Sequence, residues 1–141
     1  MAENIFKAWK PLFGLPAVMQ LETLHHGYEG LKLILTPLDE SDRKLEILFD
    51  PALTYRNIDE GDLLFYNRVD GENNLGRWGF FTVEDSDYLK WFNHVSQGIY
   101  EDKEIIQYSI YTPNDCLDIL SAYPPTVLWL ESTVPVPPAD Q

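Results

Sequence analysis

Residues 112–125, TPNDCLDILSAYPP, carry the marks of a helix bounded at both ends. The Thr112 oxygen is of the kind that accepts from the orphan N–H groups of a first helical turn. Pro113 suits the first helical position, which needs no donor, and Asp115 falls in the N3 place. At 100° per residue Cys116, Leu117, Ile119, Leu120 and Tyr123 share one apolar arc. Pro124 and Pro125 then stop the run. The preceding IIQYSIY, residues 105–111, reads as a strand from its β-branched and aromatic content. A strand running into a helix predicts a mixed α+β class.

Upstream, VEDSDYLKWFNHVSQGIYEDKE, residues 83–104, predicts an amphipathic helix with Ser86 or Asp85 as its cap. Tyr88, Trp91, Phe92 and Val95, flanked by Leu89, form its core-facing arc, and Asp87, Lys90, Asn93, His94 and Gln97 form the polar one. Gly98 stands where a left-handed cap would end it. RWGFFTV, residues 77–83, alternates Trp78, Phe80 and Thr82 with Gly79, Phe81 and Val83, as a strand does. LKLILTPL, residues 31–38, and KLEILFD, residues 44–50, predict an antiparallel hairpin turning through DESD, with Leu45, Ile47 and Phe49 on one face. TVLWLE, residues 126–131, is a last strand.

NIDEGDLLFYNRV, residues 57–69, predicts a short helix with Asp59 as N-cap and Asp62 three residues on. Residues 1–18, with Phe6, Trp9, Leu12 and Phe13, predict a short helical or irregular arm docked on the body. The expected architecture is α+β: a mainly antiparallel sheet of about four to six strands with about two to four helices packed on one face. Residues 1–131 are expected to form one globular domain, and the proline-rich residues 132–141 a flexible tail. No internal repeat occurs.

With 45 % hydrophobic and 13 % aromatic residues, the 141-residue chain can bury one sizeable core. Its formal charge of −13 disfavours nucleic acid and anionic membrane as partners and favours a basic protein. The same acidity is also accounted for by solubility alone. The single Cys116 excludes an internal disulfide, no Asn-x-Ser/Thr acceptor occurs, and the N-terminus lacks an uninterrupted apolar run. These features predict a cytoplasmic protein. PLFGLPAVM is too short to span a bilayer and is broken by Pro11, Gly14 and Pro16.

Signatures of chemistry are weak. His25 and His26 are adjacent and would point to opposite sides of an extended segment, and His94 lies on a polar helical arc, so no ligand set converges. The run beginning at Asp70 has Leu75 and Phe81 where a calcium loop needs Gly and Glu. Cys116 is placed to be a buried small hydrophobe rather than a nucleophile. Ser109 and Ser121 lack a nucleophile frame. The expectation is no catalytic, cofactor or metal residue.

What remains is a set of acidic runs, each with a sufficient role as cap, turn or solvated loop. Together they form a negative rim. The residues expected to meet a partner are Glu84, Asp85, Asp87, His94, Glu101, Asp102 and Glu104, and also Asp59, Glu60 and Asp62.

Two stretches, FDPALTYRNIDEGDLL at 49–64 and FFTVEDSDYLKWFNHVSQGIYEDKEIIQYSIYTPNDCLDILS at 80–121, resemble small bacterial immunity-type proteins of contact-dependent growth-inhibition and other polymorphic toxin systems. The resemblance lies in YR, DEGD, S-x-Y-x-x-W-F, GIY and TPND, and covers less than half of the chain. It implies an inhibitor without catalytic residues that acts by protein contact. The expected function is therefore an acidic binding protein that neutralises a basic toxin, a nuclease being the first candidate. The alternatives are a small structural or regulatory interaction domain and a hydrolase using a pair of acids.

Overall fold

A strand, not a helix, follows Thr112. In the computed structural model, which describes residues 4–38, 43–59 and 78–130, Asp115–Ser121 is an extended segment paired on both edges. The bond expected of an N-cap is made: the Asp115 N–H donates to Thr112 Oγ1 at 2.9 Å. However, the Thr112 N–H also donates to the Asp115 carbonyl at 2.8 Å, which closes a tight hairpin through Pro113 and Asn114. The same threonine chemistry serves a cap and a turn. Both faces of the strand are buried, so its apolar residues do not alternate with polar ones and mimic a helical arc.

Among the described residues there are nine strands and one helix. They are β1 (Ile5–Ala8), β2 (Met19–Gly27), β3 (Gly30–Pro37), β4 (Lys44–Phe49), β5 (Thr54–Asp59), β6 (Phe80–Glu84), α1 (Asp87–Val95), β7 (Ile106–Tyr111), β8 (Asp115–Ser121) and β9 (Thr126–Leu130). Two antiparallel sheets form, in the orders β1-β6-β7-β8-β5 and β2-β3-β4-β9. This corrects the expected α+β class: the described residues are mostly antiparallel sheet, two sheets rather than one, with one short helix in place of a helical layer. The hairpin read from residues 31–50 forms, with Leu33 opposite Ile47; its DESD turn lies outside the described residues.

The inner faces of the two sheets make one core. Leu31, Leu33, Leu35, Leu45, Ile47 and Phe49 of the second sheet meet Phe80, Tyr108, Ile110, Leu117 and Ile119 of the first. Period-two alternation puts these residues on one side of each strand. Phe49 and Trp9 both approach the Tyr108 ring edge-on, with centroids at 5.3 and 5.0 Å.

Two further expectations change. Residues 5–8 of the expected arm are a strand paired with β6, after which Trp9 and Leu12 pack on the core while Phe13 is fully exposed. Asn57, Ile58 and Asp59 end β5, so Asp59 is a strand terminus opposite Asp115 rather than a helix cap; the rest of that expected helix, the Asp70 loop and the C-terminal tail lie outside the described residues. β2 was not read from the sequence at all. Its register shifts between Leu21 and Thr23, and exposed polar residues dominate it.

Candidate functional site

The helix α1 stands on the outer face of the first sheet, and its start is fixed by a buried polar row. Ser86 is its N-cap, accepting from the Leu89 N–H at 2.9 Å. The Ser86 hydroxyl also bonds Gln107 Oε1, and Gln107 Nε2 donates to Ser109 Oγ at 2.8 Å and to Asp118 Oδ1 at 3.2 Å. Ser109 Oγ donates to the same carboxylate oxygen at 2.6 Å, and Arg56 Nε donates to Oδ2 at 2.8 Å. Strand register brings them together: Ser109 and Arg56 are the direct neighbours of Asp118 on β7 and β5.

Asp118 is 1 % exposed, yet both its oxygens are engaged. A buried carboxylate held in this way is a strut between sheet and helix.

Arg56 extends the row outward. Its guanidinium lies 4.2 Å from the Tyr88 ring centroid, and the Tyr88 hydroxyl is 3.2 Å from Thr54 Oγ1. Burial pushes the Tyr88 pKa up; the Thr54 hydrogen bond and the Arg56 charge act against that rise, and Asp118 adds to it. Tyr88 in turn carries Trp91, whose ring is stacked on it at 5.8 Å with 18° between planes.

The helix rests on Tyr88, Leu89 and Phe92, which pack with Leu120, Ile105 and Tyr100. Burial centred there leaves Trp91 and Val95 on a shoulder, 53 % and 52 % exposed, and Ile99 in the exit turn at 69 %. The expected core arc is thus corrected: two of its members face outward. Gly98, at φ 77°, ends the helix region as expected.

Of the acidic candidates, the structure gathers Glu84, Asp85 and Glu104 around one groove of about 430 Å³ beside the start of α1, floored by Val83, Leu89 and Ile105. Glu84 pairs with Lys7, and Asp85 with Lys90 at 3.1 Å. Asp87 is exposed in the first helical turn, where its N–H donates to Asn4 Oδ1 at 2.8 Å. Glu101 and Asp102 are exposed in the exit turn, and His94 is exposed in the last turn, away from the groove lining. Asp59 is five strand positions from Thr54, roughly 17 Å along β5, so it does not join them. Glu60 and Asp62 lie outside the described residues.

Sequence reasoning missed Arg56, Gln107, Ser109 and Asp118. A lone acid inside the apolar run of residues 116–120 was the available signal, since a buried charge requires partners. Among the described residues no group of three or more His, Cys, Asp or Glu is placed to hold a metal ion. Cys116 is buried in β8. His25 and His26 are exposed on β2, the His26 ring edge-on to Tyr55 at 5.3 Å. Among the described residues no helix is long and apolar enough to cross a membrane.

No protein-family model, curated protein or solved structure matches the chain.

Proposed function

We propose that the chain is a non-catalytic, cytoplasmic binding protein of the immunity type, which covers the cationic site of a basic toxin domain, a nuclease being the first candidate. The observation that supports this most is the groove beside α1: carboxylates of Glu84, Asp85 and Glu104 stand around an apolar floor of Val83, Leu89 and Ile105, with Lys7 at its margin paired to Glu84 and Lys90 paired to Asp85. An arginine or lysine side chain has the matching form, an apolar stem under a cationic head. The net charge of −13 would speed encounter with such a partner through long-range attraction. The motif resemblance in residues 49–64 and 80–121 points the same way.

The test begins with the product of the adjacent gene, co-purified with this chain. Association rates are then measured across a salt series for the wild type and for Glu84→Gln/Asp85→Asn/Glu104→Gln. The expected result is a basic partner, a slower on-rate for the triple variant at low salt, and a flatter salt dependence, with thermal stability nearly unchanged. An acidic partner, or an unchanged on-rate and slope, overturns the reading.

A further inference from the structure

On the other shoulder of α1 from the groove, Asp87, Trp91 and Val95 follow one another at i, i+4 spacing, and Ile99 continues the line into the exit turn. Residues so spaced form a ridge along one side of a helix. The ridge is exposed, with Trp91, Val95 and Ile99 each more than half open to solvent. We propose, building on the reading of α1 as a contact element for a basic protein, that this ridge seats a cationic amphipathic helix of the partner. The occupant's apolar side lies on Trp91, Val95 and Ile99, and its most basic end lies over Glu101 and Asp102.

Charge complementarity selects this occupant. Asp87 stands at one end of the apolar line, and the exposed Glu101 and Asp102 of the exit turn follow Ile99 at the other, Glu101 beside Gly98. Of the cations nearby, Lys90 is tied to Asp85 and Arg56 to Asp118, which leaves Lys103 and the exposed His94 among these acids. The C-terminal end of α1 adds its own partial negative charge beside the exit turn, so the cationic end of the occupant belongs there. An anionic lipid surface is disfavoured by a net charge of −13.

Shape selects a helix over a strand. The side chains that stand out follow i, i+4 spacing, a ridge that a second helix matches by ridge-into-groove packing. Asp87 to Val95 spans ~12 Å of helix axis, which about two turns of a second helix cover.

The anchor is already ordered. Trp91 stacks on Tyr88, which is held by Thr54 and covered by Arg56. An aromatic ring fixed before binding loses little freedom on contact, which is the character of a binding hot spot.

The experiment titrates isotope-labelled protein with a tryptophan-free amphipathic peptide of about four helical turns, leucines along one side and lysines at one end. Binding is followed by amide and indole NMR shifts. Expected are saturable shifts confined to residues 87–102 and the Trp91 indole, and affinity lowered roughly tenfold by Trp91→Ala and by Val95→Asp. Glu101→Gln/Asp102→Asn is expected to flatten the salt dependence. The amide spectrum of each variant reports its fold directly. The proposal is overturned if no shifts occur, if a peptide with glutamates in place of the lysines binds equally well, or if the shifts centre on another face. Concentration-dependent shifts of Trp91, Val95 and Ile99 without peptide also overturn it, because a second copy would then be the occupant. The peptide has no toxin fold, so failure here leaves the salt test of the groove standing, and failure of that test leaves this titration readable.

Discussion

Arg56 and Asp118 face each other across β5 and β8, Nε to Oδ2 at 2.8 Å, and the same guanidinium covers the Tyr88 ring at 4.2 Å. One side chain thus neutralises a buried carboxylate and braces the helix. Arg56→Ala leaves that carboxylate with only Ser109 and Gln107. Removing one member of a buried pair costs about 3–5 kcal/mol, and Arg56 being a third exposed reduces this to roughly 2–4 kcal/mol, read by urea unfolding. A loss under about 0.5 kcal/mol would mean the row carries no stability.

Burial raises the pKa of both Tyr88 and Tyr108 above 10.0. The folded state then keeps its phenol protons at pH values where the unfolded chain has begun to lose them. Their contribution to stability is full below about pH 10 and declines as pH rises beyond it. Unfolding curves between pH 9 and 11 are expected to show that decline, and Tyr108→Phe to weaken it. Stability rising through that window would contradict the burial of these hydroxyls.

Packing on both sides of β8 is open to test by truncation. Ile119 lies in the core between the sheets and Leu120 lies under α1, both fully buried. Each change to Ala is expected to cost about 2–5 kcal/mol, whereas His94→Ala, on the exposed side of α1, should cost no more than about 0.5 kcal/mol. If β8 were a one-sided element, Ile119→Ala and Leu120→Ala would differ sharply. Native-state hydrogen exchange is a second check: β7 and β8, paired on both edges, should protect their amides longer than the edge strand β1.

Gly30 has φ 115°, and a Cβ placed on it would collide with the carbonyl oxygen of Phe49. Gly30→Ala is therefore strained in conformation and in space, with an expected loss of about 2 kcal/mol or more in thermal unfolding. A neutral substitution would require the β2–β3 turn to differ from the one described.

The helix α1 and the β3–β4 hairpin were legible because their signals are local: Ser86 and Gly98 at the ends of the helix, and alternation along Leu45, Ile47 and Phe49. β8 was not legible, since burial of both faces erases alternation and Thr112 makes the same bond in a turn as in a cap. The Asp118 row could not be read because its members lie on β5, β7 and β8 and meet only through register. For the groove, the sequence named the acids Glu84, Asp85 and Glu104 but held no sign of which of the acidic runs converge. Trp91 and Val95 were misplaced because an apolar arc wider than the contact beneath it leaves its margin in solvent.

The order of the strands also sets a timetable. β4 must wait for β9, residues 126–130, and β1 must wait for β6, 79 positions later in the pairing Ile5 to Glu84, before either sheet is complete. On the ribosome, the apolar inner face of β3 and β4 is therefore synthesised long before its last neighbour emerges. Slow folding of order milliseconds to seconds is expected of such non-local pairing. A nascent chain stalled before Thr126 would leave the hydrogen-bonding edge of β4 unpaired, a target for chaperones or a seed for aggregation.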